Sequence, residues 1–182
     1  MSISIFNKVV LYICILFCLV QKVSAQAAQK TTTKSVEQYE CTPCGNGCDK
    51  KKYNKTGKCT SCQMALVKSA TITFKNIEAS EICNYIKHHP NAILIDVRTK
   101  DEFDGKANPN FGTLKNAVNV PVQELSGRIA EIRSIKNKEI LVYCSHSHRS
   151  PEASYILAQN GFLRVTNMLG GMSVVTDNSC KK

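Results

Sequence analysis

The chain has 182 residues, of which 24 are lysine or arginine and 14 are aspartate or glutamate, so its formal charge is +10. This length suits one domain, or one domain with a small module, and is too short for several large domains. The lysines are scattered and few aromatic residues accompany them, which predicts a solvated basic surface and no nucleic-acid partner.

The N-terminal residues are typical of a secretory signal peptide. A lone Lys8 precedes an apolar run over residues 9–20, and Val23 and Ala25 fit a signal-peptidase site. The apolar run is short for a membrane-spanning helix, although an uncleaved anchor is the alternative interpretation. We therefore predict a signal peptide over residues 1–25.

Residues 26–37 are rich in threonine, lysine and glutamine and have no apolar periodicity. This composition predicts a flexible linker. Together with the signal, it predicts a protein exported to the periplasm or the extracellular side of a bacterial cell envelope. An uncleaved signal would be its only contact with a membrane.

The next segment, residues 38–68, is rich in cysteine. It contains two Cys-x2-Cys pairs, Cys41 with Cys44 and Cys59 with Cys62, and a fifth cysteine lies between them. Two short turns at this spacing can present four thiolates to one tetrahedral metal ion. In an oxidising compartment the same cysteines could instead form two disulfides with one left over, so both interpretations stay open here.

This segment resembles the heavy-metal-binding module of bacterial metal-efflux systems, whose pattern begins Tyr-x-Cys-Pro-x-His and ends Gly-x-Cys-Pro-x-Cys-Gly-Met-x-Leu-Val. The residues that match are Tyr39, Cys41, Gly57, Cys59, Cys62, Met64, Leu66 and Val67. Cys44 stands where that family has histidine, and Gln63 where it has glycine. The resemblance implies a structural zinc or copper(I) ion held by the four paired cysteines.

From residue 70 onward the pattern is that of an α/β domain. We predict strands over residues 71–74, 92–97, 117–120 and 139–143, and helices that begin near residue 80, cover 125–135 and run over 150–159. Unbroken apolar strands that alternate with helices indicate a parallel sheet covered by helices on both faces.

The segment after the last predicted strand has the clearest functional signal. Cys144 follows the strand directly, and Ser150-Pro151 is typical of a helix start, with a capping hydroxyl and a proline at the first helical position. Ligands bind beyond the carboxyl ends of parallel strands. The helix N-terminus, the amides of the short connecting loop and Arg149 should favour the thiolate form of Cys144, which is a nucleophile.

Several motifs, in order along this domain, resemble the rhodanese-like family. They are Asp96-Val97-Arg98 with Glu102-Phe103, the element from Gly112 to Pro121, Cys144-x4-Arg149-Ser150, and Leu169-Gly170-Gly171. The resemblance implies a rhodanese-like parallel sheet within residues 70–182. It also implies sulfurtransferase activity that needs no cofactor.

In such a reaction Cys144 would take sulfane sulfur from a small anionic donor such as thiosulfate or another persulfide. It would hold the sulfur as a persulfide and pass it to a thiol, a thiol reductant or cyanide. The residues that would bind the donor are Ser145, His146, Ser147, His148 and Arg149, while Asp96 and Arg98 would brace the strand and turn. We expect a monomer.

Loop length favours sulfur transfer, because the related phosphatases have Cys-x5-Arg and this chain has Cys-x4-Arg. Two residues depart from the family pattern. Ser147 stands where glycine is usual and would be strained if its φ were positive, and Met172 stands where tryptophan is common. A non-catalytic binding protein that handles soft metal ions or senses thiol redox state is therefore the alternative function.

Four other side chains have open roles. His146 and His148 are interpreted as substrate contacts, as groups that tune the thiolate, as partners of Cys144 in a metal site, or as exposed loop residues. Cys83 is predicted to be a small buried apolar side chain and Cys180 a tail thiol, and pairing of either in an oxidising compartment stays open.

Overall fold

The computed structural model describes residues 37–182. The predicted signal peptide, 1–25, and all but the last residue of the predicted linker, 26–37, lie outside the described residues. No helix within the described part of the chain combines the length and hydrophobicity needed to cross a membrane.

Two sheets organise the described residues. A small antiparallel sheet pairs β1 (Tyr39–Cys41) with β2 (Leu66–Lys68). The strands of the larger sheet are β3 (Lys75–Glu78), β4 (Ile93–Asp96), β5 (Val118–Asn119), β6 (Glu139–Tyr143) and β7 (Arg164–Leu169). Its five strands are parallel and lie in the order β3-β7-β6-β4-β5.

Helices cover both faces of the larger sheet. They are α1 (Ile82–His88), α2 (Lys100–Phe103), α3 (Val122–Arg128) and α4 (Arg149–Gln159). The two faces follow from the alternation of β6, because successive side chains of a strand point to opposite sides. Ile140 and Val142 pack with α3 and α4, whereas Leu141 and Tyr143 pack on the side of α1. The predicted fold class is confirmed.

Several predicted boundaries differ from the structure. The strand predicted over residues 71–74 is wrong, because β3 begins at Lys75, where pairing with β7 starts. Extended backbone is favoured by the alternating sequence, but the partner strand decides which residues form the ladder. The helix predicted over 125–135 begins instead directly after Pro121, ends at Arg128 and is followed by a separate 3-10 turn.

The start of α4 also differs from its prediction. The helix begins at Arg149, and its N-cap residue, His148, makes no capping hydrogen bond through its side chain. The hydroxyl of Ser150, predicted to cap the helix, instead lies 3.4 Å from the sulfur of Cys144. This hydroxyl is therefore part of the environment of the candidate nucleophile.

A disulfide joins Cys83 of α1 to Cys180 near the C-terminus, across 97 residues of sequence. Cys83 is half-buried and paired rather than a small buried apolar side chain, and Cys180 is not a free tail thiol, so the pairing that the sequence left open is the one observed. The two residues meet because the C-terminal segment folds back along the sheet, where Lys115 N–H donates to the carbonyl of Cys180 and Lys182 N–H to that of Thr113.

Candidate active site

Cys144 lies immediately after β6, at the carboxyl end of a central strand. It is only 1% exposed and packs in the core cluster beneath α4. Its carbonyl accepts the N–H of Met172 at 2.8 Å, and the carbonyl of Ser145 accepts that of Ser173 at 3.0 Å. The closing turn after β7 therefore holds the first residues of the loop in place.

The close approach of this turn to the loop requires glycine. Gly171 has a φ of +70°, and a Cβ atom there would lie 2.3 Å from the carbonyl oxygen of Ser145. Because that distance is far inside van der Waals contact, no other residue fits. Met172, which follows, is buried in the second core cluster with Tyr143.

The backbone N–H groups of the loop after Cys144 are unpartnered in the described part of the chain. The N–H groups of residues 145–148 donate to no acceptor within residues 37–182. Such unpartnered amides at the start of a helix form a site for an anion, and the helix dipole adds to the attraction.

Arg149 is held by a carboxylate from a distant part of the chain. Its Nη1 and Nη2 donate to Oε2 and Oε1 of Glu102 at 2.6 and 2.7 Å, and Nη2 also donates to Ser145 Oγ at 3.0 Å. Thr99 completes a capping box with Glu102 at the start of α2. Arg149 chiefly lowers the pKa of Glu102, to well below the usual range of a carboxyl group.

Sequence reasoning missed the role of Glu102. The Thr99-x-x-Glu102 spacing predicts a capping box, but it contains no signal for an ion pair with a residue 47 positions away. The consequence is a fixed guanidinium at the rim of the loop, since two parallel hydrogen bonds define its plane.

Ser147 has a positive φ of 59°. Its side chain is 1% exposed, and its hydroxyl has no hydrogen-bond partner among the described residues. A left-handed conformation costs a non-glycine residue roughly 1–2 kcal/mol. The backbone of Ser147 is therefore strained. Its hydroxyl forms no hydrogen bond within the described residues that would offset this cost.

The two histidines of the loop are exposed. The ring of His146 meets that of Phe111 edge-on at 5.2 Å, and Nδ1 of His148 lies 3.0 Å from the carbonyl of His146. Within the described residues, no group of metal-ligand atoms contains Cys144 with either histidine.

Asp96 and Arg98 form a buried ion pair at 2.7 Å. Arg98 also donates to the carbonyl of Gly112 at 2.9 Å and to the hydroxyl of Thr113 at 3.1 Å, while Asn119 donates to the carbonyls of both pair members. The pair thus links β4, β5 and the segment before β5, and neither side chain contacts the sulfur of Cys144 in the hydrogen bonds described.

A second cluster of cysteines lies in the small N-terminal module, residues 38–68. Four sulfur atoms lie within 4.8 Å of one another, those of Cys41, Cys48, Cys59 and Cys62. All four are free thiols. A tetrahedral zinc site has sulfur atoms about 3.8 Å apart, given Zn–S bonds of about 2.3 Å, so this group fits one ion after small shifts.

Cys44, the predicted fourth ligand, is not in this group, and Cys48 takes its place. The reason is the 3-10 turn Gly47–Lys50, which returns Cys48 to Cys41, whose sulfur lies 3.7 Å from the carbonyl of Cys48. Cys44 instead lies beside Asp49, with its sulfur 3.2 Å from a carboxylate oxygen. The sequence predicts paired turns, but the second cysteine of the first pair points elsewhere.

Hydrogen bonds lower the pKa of one thiol of the module, that of Cys59. Burial alone would raise the pKa of Cys59, but the N–H groups of Cys62 and Ser61 and the hydroxyl of Tyr53 donate to its sulfur and lower the pKa to about 6. In contrast, burial raises the pKa of Cys48 to about 12. Gln63, at the position where the resembled module has glycine, has a positive φ of 62°.

The module packs against the larger domain close to the Cys144 loop. Asn167 of β7 donates to the carbonyl of Pro43 at 3.3 Å. A pocket joins the two parts, and it is lined by Asn46, Gly47, Cys48, Lys51, Ser61, Cys62 and His148. Two cysteines of the module therefore share a pocket with a residue of the active-site loop.

A buried cysteine at the end of a parallel strand, beneath a loop of unpartnered amides and close to a fixed arginine, defines the site of this α/β domain. Residues 79–178 match the family model of the rhodanese-like domain. The chain belongs to the rhodanese-like domain family.

The chain is also similar to curated proteins over part of its length. The chain is 39% identical over 80 residues to the YqhL protein of Bacillus subtilis, covering 44% of this chain and 57% of that one. It is 27% identical to the tRNA uridine(34) hydroxylase of Escherichia fergusonii, covering 56% of this chain and 31% of that one. The chain thus spans less than two thirds of the length of either relative.

Two solved structures match part of the chain. A rhodanese-related protein from Thermoplasma volcanium is 27% identical, with a TM-score of 0.44, and the match covers 58% of this chain and 93% of that one. The human single-domain sulfurtransferase TSTD1 is 21% identical, with a TM-score of 0.43, and the match covers 53% and 89%.

Proposed function

We propose that this protein is an exported, monomeric sulfurtransferase that moves sulfane sulfur through a persulfide on Cys144. The observation that carries the proposal is the position of Cys144, in a loop of unpartnered amides where Arg149 donates to the hydroxyl of Ser145, the next residue. Membership of the rhodanese-like family supports it, since many members transfer sulfur.

The first half-reaction is attack of the Cys144 thiolate on the outer sulfur of thiosulfate. A new S–S bond forms to Cys144, the bond between the two thiosulfate sulfur atoms breaks, and sulfite leaves with the electron pair. The loop amides and Arg149 bind the anionic donor and stabilise the charge on the leaving group. The hydroxyl of Ser150, 3.4 Å from the thiol sulfur, is placed to interact with the thiolate.

The second half-reaction returns Cys144 to its starting state. A thiolate or cyanide attacks the outer sulfur of the persulfide, and Cys144 leaves as a thiolate. The persulfide adds one S–S bond of about 2.0 Å to a side chain that is itself almost wholly buried. That length carries the transferable sulfur toward the acceptor, and the proposed relay uses no other cofactor.

Export is proposed from the signal-like N-terminal sequence together with the Cys83–Cys180 disulfide. Structural disulfides persist in oxidising compartments such as the periplasm and the extracellular space. In such a compartment a thiol partner or thiol reductant must accept the sulfur and keep Cys144 reduced.

We further propose that Cys41, Cys48, Cys59 and Cys62 hold a structural zinc or copper(I) ion in the module. The N–H groups that donate to the sulfur of Cys59 support this, because such bonds stabilise metal-bound thiolates. The ion would supply the cross-link that a segment of this size cannot obtain from apolar burial.

The test of sulfur transfer is thiocyanate formation from thiosulfate and cyanide by the purified protein, compared with Cys144→Ser. We expect turnover only with Cys144, and a mass increase of one sulfur atom after thiosulfate treatment without an acceptor. If the two proteins give equal thiocyanate and no added sulfur is found, the enzyme proposal fails. The strained Ser147 would then favour the alternative, a binding protein for soft metals or a sensor of thiol redox state.

A further inference from the structure

The cysteine-rich module contains a second group of ligand atoms beside the four sulfurs already described. The sulfurs of Cys44 and Cys48 and a carboxylate oxygen of Asp49 lie within 4.8 Å of one another. Cys48 belongs to both groups. Its sulfur is therefore positioned between two sets of possible ligands.

The distances in the second group match those that one metal ion imposes. The sulfurs of Cys44 and Cys48 are 3.8 Å apart, and the sulfur of Cys44 is 3.2 Å from Oδ1 of Asp49. With metal–sulfur bonds of about 2.3 Å and a metal–oxygen bond of about 2.0 Å, tetrahedral angles require separations of about 3.8 and 3.5 Å. Only a small rotation of Asp49 is needed.

Hydrogen bonds orient both outer ligands of this group. The N–H groups of Cys44 and Gly45 donate to the carboxylate of Asp49, at 3.0 and 2.8 Å to its Oδ2. The side-chain amide of Asn46 lies 3.2 Å from the sulfur of Cys44, where it can donate to a thiolate. Hydrogen bonds of this kind fix ligand orientation around metals, and a carboxylate oxygen that accepts one bond keeps a lone pair for an ion.

Neither a pair of disulfides nor a single metal ion would use all five cysteines of the module. Two disulfides would leave one thiol over, and a single ion on Cys41, Cys48, Cys59 and Cys62 leaves Cys44 buried beside Asp49 without a function. We propose that the module binds two soft metal ions, with the thiolate of Cys48 bridging between the first site and a second site formed by Cys44, Cys48 and Asp49.

The second site has three protein ligands and so keeps one coordination position open, unlike a closed structural site. Cys48 lines the pocket that also includes Lys51 and His148, which gives an ion a route from solvent. Lys51, which lines this pocket with Cys48, places a positive charge near the thiolates. This inference rests on the proposed metal-binding role of the module.

The number of ions per chain tests the proposal. The metal-free protein, with its module thiols reduced and the Cys83–Cys180 disulfide intact, is titrated anaerobically with cadmium(II), and native mass spectrometry counts the bound ions. We expect two per chain in the wild type and in Cys144→Ser, which removes the active-site thiol from the count. Cys44→Ser should bind one.

A second, more conservative variant tests the site if Cys44→Ser does not fold. Asp49→Asn preserves the shape of the side chain and an oxygen that can accept from Gly45 N–H, and it should hold the second ion at least tenfold more weakly while the first binds normally. One ion per wild-type chain, or two in Cys44→Ser with unchanged affinity, overturns the second site alone. No bound ion in the wild type overturns the metal-binding role of the module as well.

The bridge itself has a spectroscopic signature. With cobalt(II), the electron paramagnetic resonance signal should rise with the first equivalent and fall with the second, because a bridging thiolate couples the two ions. A signal that doubles with the second equivalent would mean two separate sites and would overturn the bridging role of Cys48.

Discussion

Arg149 and Glu102 form a two-point ion pair, with Nη1–Oε2 and Nη2–Oε1 distances of 2.6 and 2.7 Å. The carboxylate keeps the guanidinium in one orientation beside the loop that holds Cys144. It also shares the hydroxyl of Ser145, which donates to Glu102 at 2.7 Å. In the proposed reaction Glu102 is a positioning residue, since it would act on the bound anion through Arg149.

We predict that Glu102→Gln lowers kcat for sulfur transfer about tenfold, because Arg149 loses the second of its two fixed hydrogen bonds and no longer meets the leaving group in one geometry. Steady-state kinetics with thiosulfate measures the change. The matched control is Glu124→Gln, which makes the same chemical change in the exposed pair with Arg128. Equal kcat values for the two variants would contradict a positioning role.

The same pair predicts a dependence of stability on pH. Hydrogen bonds from Arg149 lower the pKa of Glu102 from its ordinary value of 4.5, more than burial raises it. A depressed pKa in the folded state stabilises the fold fully above the unfolded pKa and loses that contribution as the pH falls below it. The difference in unfolding free energy between wild type and Glu102→Gln should therefore shrink from pH 7 to pH 3. If the difference in unfolding free energy is the same at pH 7 and pH 3, Glu102 does not have a lowered pKa in the folded state.

Ser147→Gly should stabilise the protein by about 1 kcal/mol, because glycine adopts the positive φ of 59° without strain. In a chain of this size that corresponds to a melting temperature about 2–4 °C higher. Sulfur transfer should rise as well, because the amides of the relaxed loop can converge on the anion. Ser173→Gly, at a position without a positive φ, is the control and should give no gain; a lower melting temperature for Ser147→Gly would refute the strain.

Gly171→Ala should disable the loop, because its Cβ would lie 2.3 Å from the carbonyl oxygen of Ser145. Backbone must move to relieve this contact, so we expect a loss of at least 2 kcal/mol of stability, or roughly tenfold or more in activity. Gly127→Ala is the control, since nothing lies within 4 Å of its added Cβ and it sits in α3. It should leave stability unchanged or slightly increased.

The β6 strand and the Cys144 loop are predictable because their signals are local. An apolar run, a cysteine at its end and a helix start within six residues define the site without knowledge of its neighbours. The strand β7 has no such signal, although it is an interior strand of the sheet, paired on both sides. Its Thr166 and Asn167 are buried, and Asn167 donates to Asn76 and Pro43, which are distant in sequence.

Two other features of the structure that the sequence does not predict also depend on contacts between distant segments or on local backbone angles. The pairing of Arg149 with Glu102 depends on how α2 lies against the loop, and the choice of Cys48 over Cys44 depends on one 3-10 turn. Spacing restricts which cysteines can meet, but the direction of each side chain follows from backbone angles that a spacing pattern does not contain. The site is therefore predictable in its chemistry and less so in its supporting contacts.

Replacing both disulfide cysteines, Cys83→Ala with Cys180→Ala, should lower the unfolding free energy by about 2–4 kcal/mol, because the bond closes a long loop in the unfolded chain. Thermal unfolding is measured with and without a phosphine reductant. The reductant should lower the melting temperature of the wild type to that of the double variant and leave the variant unchanged. A wild type that is insensitive to reductant while its thiols become titratable would refute a stabilising role.

The double variant should also lose part of its sulfur-transfer activity, since the C-terminal segment that the disulfide holds supports the site indirectly. Lys182 N–H donates to the carbonyl of Thr113, whose hydroxyl accepts from Arg98 at 3.1 Å. A freed tail weakens this contact to the Arg98 turn, which precedes the helix that carries Glu102. We expect a loss of two- to threefold in kcat below the unfolding temperature. An unchanged kcat would mean that the disulfide contributes to stability and has no effect on sulfur transfer.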